Sequence, residues 1–181
     1  MKIKLEYILK RSLAYFIDVS IIYVVLMLVF QWLIMPPIRT HFGMDENWFR
    51  NGWNVQCYVW LTISLPTWLY FITSEPSDRK ATFGKRILKL QVLDSETKSK
   101  ISKTKSIKRT ALKLLPWELI HIGLNLPTPV WFEENPDFRY LVLLGSILFV
   151  VYFIMAFVYR RTLYDKLLNT LVSNQNTNPQ K

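Results

Sequence analysis

Cysteine is all but missing from this chain of 181 residues. Cys57 stands alone, so an intramolecular disulfide and a cysteine metal site are both excluded, and inside its hydrophobic run it reads as a packing residue. Histidine is nearly as scarce. His41 and His121 fall on different elements and cannot form the i, i+4 pair of a metal-binding helix, and no Gly-rich phosphate loop or Ser, His, Asp arrangement accompanies them. No catalytic residue, metal or cofactor is therefore expected, and the chain does not read as an enzyme.

Charge is lacking in a different way. Half of the residues are hydrophobic (51%) and 15% are aromatic, and they come in nearly uncharged blocks of about 20, whereas a soluble core scatters its apolar residues at periods of 2 or 3.6. From Arg11 to Met35, RSLAYFIDVSIIYVVLMLVFQWLIM, the only charged side chain after Ser12 is Asp18. That is the length a helix needs to cross the ~30 Å hydrocarbon layer. The block is too long for a signal peptide's apolar region and is followed by no small-residue cleavage site, so it is read as retained.

The whole chain is an all-α integral membrane protein on this reading, one domain over residues 1–173, with crossings near 12–35, 55–73, 110–126 and 138–159. MKIKLEYILKR is a basic amphipathic lead-in that starts the chain in the cytoplasm. Pro36 and Pro37 stop the first helix, and a loop to about Val55 carries the belt residues Trp48, Phe49 and Trp53 on the far side. Pro66 kinks the second crossing, where Thr62, Ser64 or Thr67 can satisfy the freed backbone. The loop 74–109 is the most basic part and belongs to the cytoplasm, with amphipathic helices and room for a short β-hairpin around the polar turn SETKSKIS. Thr110 to Leu126 is a polar third crossing or, alternatively, a re-entrant or interfacial helix. Arg160, Arg161 and Lys166 draw the last crossing back inside, so both termini are cytoplasmic, and the polar tail 174–181 is disordered.

A carboxylate in hydrocarbon needs a partner, a wet cavity or a proton. Arg11 lies seven residues from Asp18, two turns away on the same face and roughly 10 Å along the axis, which leaves room for a third polar group or an ion between them. Arg109 and Arg161 are the other candidate partners. Glu118, His121 and Asn125 share a helix face at i, i+3 and i+7, able to relay a proton or to line a wet interface. The formal charge of +10, from 23 Lys and Arg against 13 acids, is concentrated beside apolar blocks. Lys85, Arg86, Lys89, Lys105 and Lys108 accordingly suit anionic lipid headgroups; nucleic acid is not expected, because the basic loop lacks the interleaved aromatics of a stacking platform.

Three separated segments resemble one family. RSLAYFID is similar to the R-x-x-A-x-x-x-D opening of RDD-family membrane proteins, ATFGKRILKLQVLD to their Gly-Lys-Arg stretch, and RRTLYDKLLNTLVS to their closing motif. The resemblance covers about Leu9 to Ser173 and implies Arg11, Asp18 and Asp165 as the family's triad, with Gly84, Lys85, Arg86, Arg109 and Thr170 at other typical positions. It departs at Tyr164, where many members carry histidine. What it implies is a bacterial plasma-membrane protein for which transport, including cation/proton exchange, has been suggested. Asp18 would then hold the ion or proton, Arg11 would tune it, Asp165 would close the cytoplasmic end, and so few crossings would require a homo-oligomer. The competing expectation is a non-transporting assembly or lipid-binding module in which the same residues are structural ion pairs.

Overall fold

The computed structural model describes residues 2–133 and 137–175, residues 2–5 as backbone alone. Its longest helical run is α1 (Lys2–Tyr23), which continues without a break through an 11-residue π-helical stretch (Val24–Ile34) into α2 (Met35–His41). The prolines expected to end this run do not. They fall inside the continuous run, where two N–H groups are missing from the ladder; the Gln31 carbonyl, one turn before Pro36, accepts from the Arg39 guanidinium at 3.1 Å instead, and the helix proceeds to His41.

A short α3 (Glu46–Arg50) follows, capped by the Asp45 carboxylate, which accepts from Trp48 N–H at 2.9 Å. The second run is α4 (Gly52–Val59), a π-helical turn (Trp60–Ser64) and α5 (Leu65–Ser74). The irregular turn sits just before Pro66, and the Thr62 and Thr67 hydroxyls donate to carbonyls four residues back, each at 2.7 Å. Cys57 is exposed rather than packed. The inward face of α4 is Gly52, Val55 and Gln56, and one further residue turns the side chain about 100° away.

α7 (Lys103–Asn125) contains Pro116, and α8 (Arg139–Tyr159) is uninterrupted. Among the described residues, three runs are long and apolar enough to cross a membrane: Glu6–His41, Gly52–Ser74 and Arg139–Tyr159. Their outward faces carry large bare apolar side chains, among them Phe16, Trp32, Leu143 and Phe153, as lipid contact requires. Residues 110–125 are helical, but Lys113, Glu118 and His121 keep them out of that apolar set.

Two short helix–strand units complete the chain: α6 (Phe83–Ile87) with β1 (Leu90–Asp94), and α9 (Leu163–Leu167) with β2 (Thr170–Asn174). They are copies of one motif displaced by 80 positions. Thr82 and Thr162 precede the helices, Leu88 and Leu168 close them, and left-handed residues recur in register, Lys80 (φ 54°) with Arg160 (φ 58°) and Lys89 (φ 54°) with Asn169 (φ 49°). The strands pair antiparallel with Val92 opposite Val172, equivalent residues facing one another, so a local two-fold axis passes through the pair. The expected hairpin is therefore replaced. β1 takes its partner from the far end of the chain, and only a single bridge, Leu93 to Lys100, spans the SETKSKIS turn. Asn174 belongs to β2; of the tail expected to be disordered, residues 176–181 lie outside the described residues.

The chain divides into two compact units, Met1–Ile21, Trp68–Lys113 and Val151–Lys181 in one, Ile22–Thr67 and Leu114–Val150 in the other. The first has an apolar core of Ala14, Leu90, Val92, Ile101 and Val172, edged by Tyr7 and Leu88. The second has a partly polar interior. There Gln31 donates to Thr62 at 2.8 Å and accepts from Tyr58, the Gln56 and Asn125 amides lie 3.0 Å apart, and Ser64 donates to Glu118 at 3.2 Å.

Candidate functional site

The candidate site is the ionic interior of the first unit. Asp18 is 1% exposed, and among the described residues no basic side chain forms an ion pair with it. Its carboxylate accepts instead from the Tyr70 hydroxyl at 2.6 Å, the Thr82 hydroxyl at 2.6 Å and the Gly84 N–H at 2.8 Å. α1 thus places an acceptor on the first turn of α6, where backbone donors have no intrahelical partner. Gly84 makes the approach feasible: a Cβ there would meet the Ala14 carbonyl oxygen at 2.2 Å.

In the second copy of the motif the anion is built in. Asp165 caps its own helix, accepting from the Thr162 N–H at 3.2 Å and hydroxyl at 2.8 Å. The same carboxylate takes Arg11 on one oxygen and Arg109 on the other, the latter at 2.5 Å. Arg109 extends its second nitrogen to Glu75 at 2.7 Å, and Glu75 is also bound by Lys85 at 2.7 Å and Lys113 at 2.9 Å. Glu75, Asp165 and Arg109 are all buried. The planar guanidinium suits this bridging, because its donors diverge in one plane toward two carboxylates at once.

Some of the expected site residues meet here and others do not. Arg11, Asp165 and Arg109 are joined, and Asp18 is held beside them through α6. Among the described residues, Arg161 takes part in none of these pairs. Lys85, expected on the membrane surface, is buried, because its position in the motif corresponds to Asp165 and points inward toward Glu75. Arg86 is half-buried over Phe83, Lys89 and Lys108 are exposed, and Lys105 pairs with Asp94. Glu118 and His121 lie in the second unit, where His121 packs near Trp117 and its Nδ1 is buried with no hydrogen-bond partner. Glu75, Lys113, Tyr70 and the threonines that precede the two short helices, Thr82 and Thr162, escaped sequence reasoning. For the threonines a signal existed in the 80-residue repeat.

Burial by itself would raise the Glu75 pKa, but Arg109, Lys113 and Lys85 outweigh it and hold the carboxyl well below its ordinary range. Asp165 is lowered in the same way by Arg11 and Arg109 against its burial. Both folded values lie below the unfolded ones, so the stabilisation is complete above the unfolded carboxylate range and is lost as pH falls through the folded values. Thermal unfolding in detergent, followed by tryptophan fluorescence, is expected to show a flat midpoint from about pH 8 to 5 and a steep decline below about pH 4. A midpoint that rises on acidification would contradict this ionic account.

An RDD family model matches residues 7–169. No curated protein and no solved structure matches the chain. At the position where the sequence departs from the family's motif, Tyr164 packs edge-on to Tyr152 at 5.3 Å and lies under the Arg109 guanidinium at 4.9 Å. Its ring supports the bridging arginine.

Proposed function

The chain belongs to the RDD family, and from that premise we propose that it is a multi-pass plasma-membrane module of a bacterium, whose buried arginines and carboxylates clasp the helices to an inner-face layer that contacts anionic lipid. Saturation carries this reading. Both oxygens of Asp18 and both of Asp165 already accept from the chain, so an incoming cation would have to compete with native donors. Four crossings complete the proposed topology. β1 follows the second span, β2 follows α8, and the strands pair, which supports placing both span ends on one face of the membrane. The chain must then recross between them, and α7 is the helix available among the described residues. The basic loop 74–109 puts that face, with both termini, in the cytoplasm.

A second reading, coupled cation and proton movement through a homo-oligomer, is favoured by the polar interior of the second unit. Gln31 and Thr62 meet there between two π-helical stretches, a feature common at functional sites, and the unpartnered Nδ1 of His121 lies one turn from Glu118. Purified protein in liposomes with an imposed sodium or potassium gradient, read by an internal pH dye, separates the two. The clasp reading expects no flux above empty vesicles, and Asp18→Asn only lowers the unfolding midpoint. Flux that disappears in a folded Glu118→Gln protein would replace the clasp by the transport reading.

A further inference from the structure

Beside the ionic interior, an open cleft of about 720 Å³ lies between the loop after the second span, α6 and β1. Arg79, Lys80 and Arg86 line it, with the Gln91 amide in its wall. The cleft's one acid, Asp78, is turned to Lys100 at 2.9 Å, so the cations dominate. Arg86 is the informative group. Its Nε is buried and makes no hydrogen bond, so a donor that has lost water has gained no acceptor from the chain. The loop that carries the other two cations is fixed: Lys80 N–H donates to the Ser77 carbonyl at 2.9 Å, and the Lys80 carbonyl accepts from Val92 N–H at 2.7 Å.

At the rim, Phe83 and Ile87 stand one turn apart on α6 and are 43% and 54% exposed. An apolar shelf beside three cations, directly after a membrane span, matches an amphiphile with an anionic head. We propose that this cleft binds a phosphate group, with Arg86 and Arg79 offering forked donors to its oxygens, Lys80 adding a point charge, and Phe83 and Ile87 receiving the chains of a lipid that carries it. The proposal rests on the membrane-module reading only in setting the cleft at the inner leaflet.

Native mass spectrometry of the full chain in neutral detergent tests it, with phosphatidic acid, phosphatidylglycerol and inorganic phosphate as probes. Binding of one phosphatidic acid is expected, weakened at least about tenfold in Arg79→Gln/Lys80→Gln/Arg86→Gln and unchanged in Lys98→Gln/Lys103→Gln/Lys166→Gln, which removes equal charge from exposed positions elsewhere. Should the first variant fail to fold, Arg79→Gln/Lys80→Gln, which leaves Arg86 in place, is expected to show most of the loss. Inorganic phosphate that displaces the lipid at comparable concentration supports the same site with a soluble ligand. Equal weakening in the two triple variants, or none in either, overturns the proposal. Ion flux in the liposome assay would instead count against the clasp reading and leave this comparison intact.

Discussion

Arg109→Met is expected to remove about 3–5 kcal/mol of stability, the usual cost of withdrawing one partner from a buried ion pair. The loss is large because the same side chain serves two carboxylates. Without it Asp165 keeps Arg11 and its own cap, and Glu75 keeps two lysines, but the bridge between the two groups is gone, and so is the bond at 3.3 Å to the Thr170 hydroxyl at the start of β2. Arg109→Lys should recover part of the loss only, since an ammonium cannot reach both acids with fixed geometry. Lys108→Ala, one residue away and exposed, should stay within about 0.5 kcal/mol. Unfolding midpoints in a single detergent give the comparison, and equal midpoints for Arg109→Met and Lys108→Ala would dismiss the bridge.

Gly84→Ala should be nearly as damaging for a different reason. The added methyl would lie 2.2 Å from the Ala14 carbonyl oxygen and 3.1 Å from the Asp18 carboxyl carbon, and the first of these is helix backbone that cannot step aside. α1 and α6 must part, so the overpacking cost of about 1–3 kcal/mol is joined by weakened bonds from Thr82 and Gly84 to a buried carboxylate, worth a similar amount. A shift of the unfolding midpoint by several degrees, together with a smaller folded fraction on size exclusion, is the expected result. Wild-type behaviour from this variant would mean that the approach of the two helices is looser than described.

The same two sites show what a sequence can and cannot carry. That Asp18 is buried follows from one acid within 24 residues of apolar helix, and its face follows from helical periodicity. Periodicity is silent about what lies across from that face, so the arginine expected there turned out to be a tyrosine, a threonine and a backbone amide. Arg11 meets Asp165 across 154 positions, a distance that local spacing never reaches; only the family's closing motif singled that aspartate out. Glu75 looked like one of four acids in a basic loop, because nothing nearby in sequence marks a side chain that three distant cations converge on. The pairing of β1 with β2 escaped for the same reason, while local rules misjudged two further points: the helix runs on through Pro36 and Pro37 with the Arg39 side chain serving a freed carbonyl, and Cys57 falls on the outward side of its helix.

The strand pair also sets an order of events during synthesis. β1 leaves the ribosome long before β2, and Arg11 and Arg109 are both made before the aspartate that neutralises them. A nascent chain that stalls ahead of Asp165 therefore holds its helices in the bilayer with two guanidinium groups lacking that counterion and one sheet edge open to foreign strands. The last dozen described residues act as the latch of the first unit, and translation must reach them before its buried charges are paired and its sheet edge is covered.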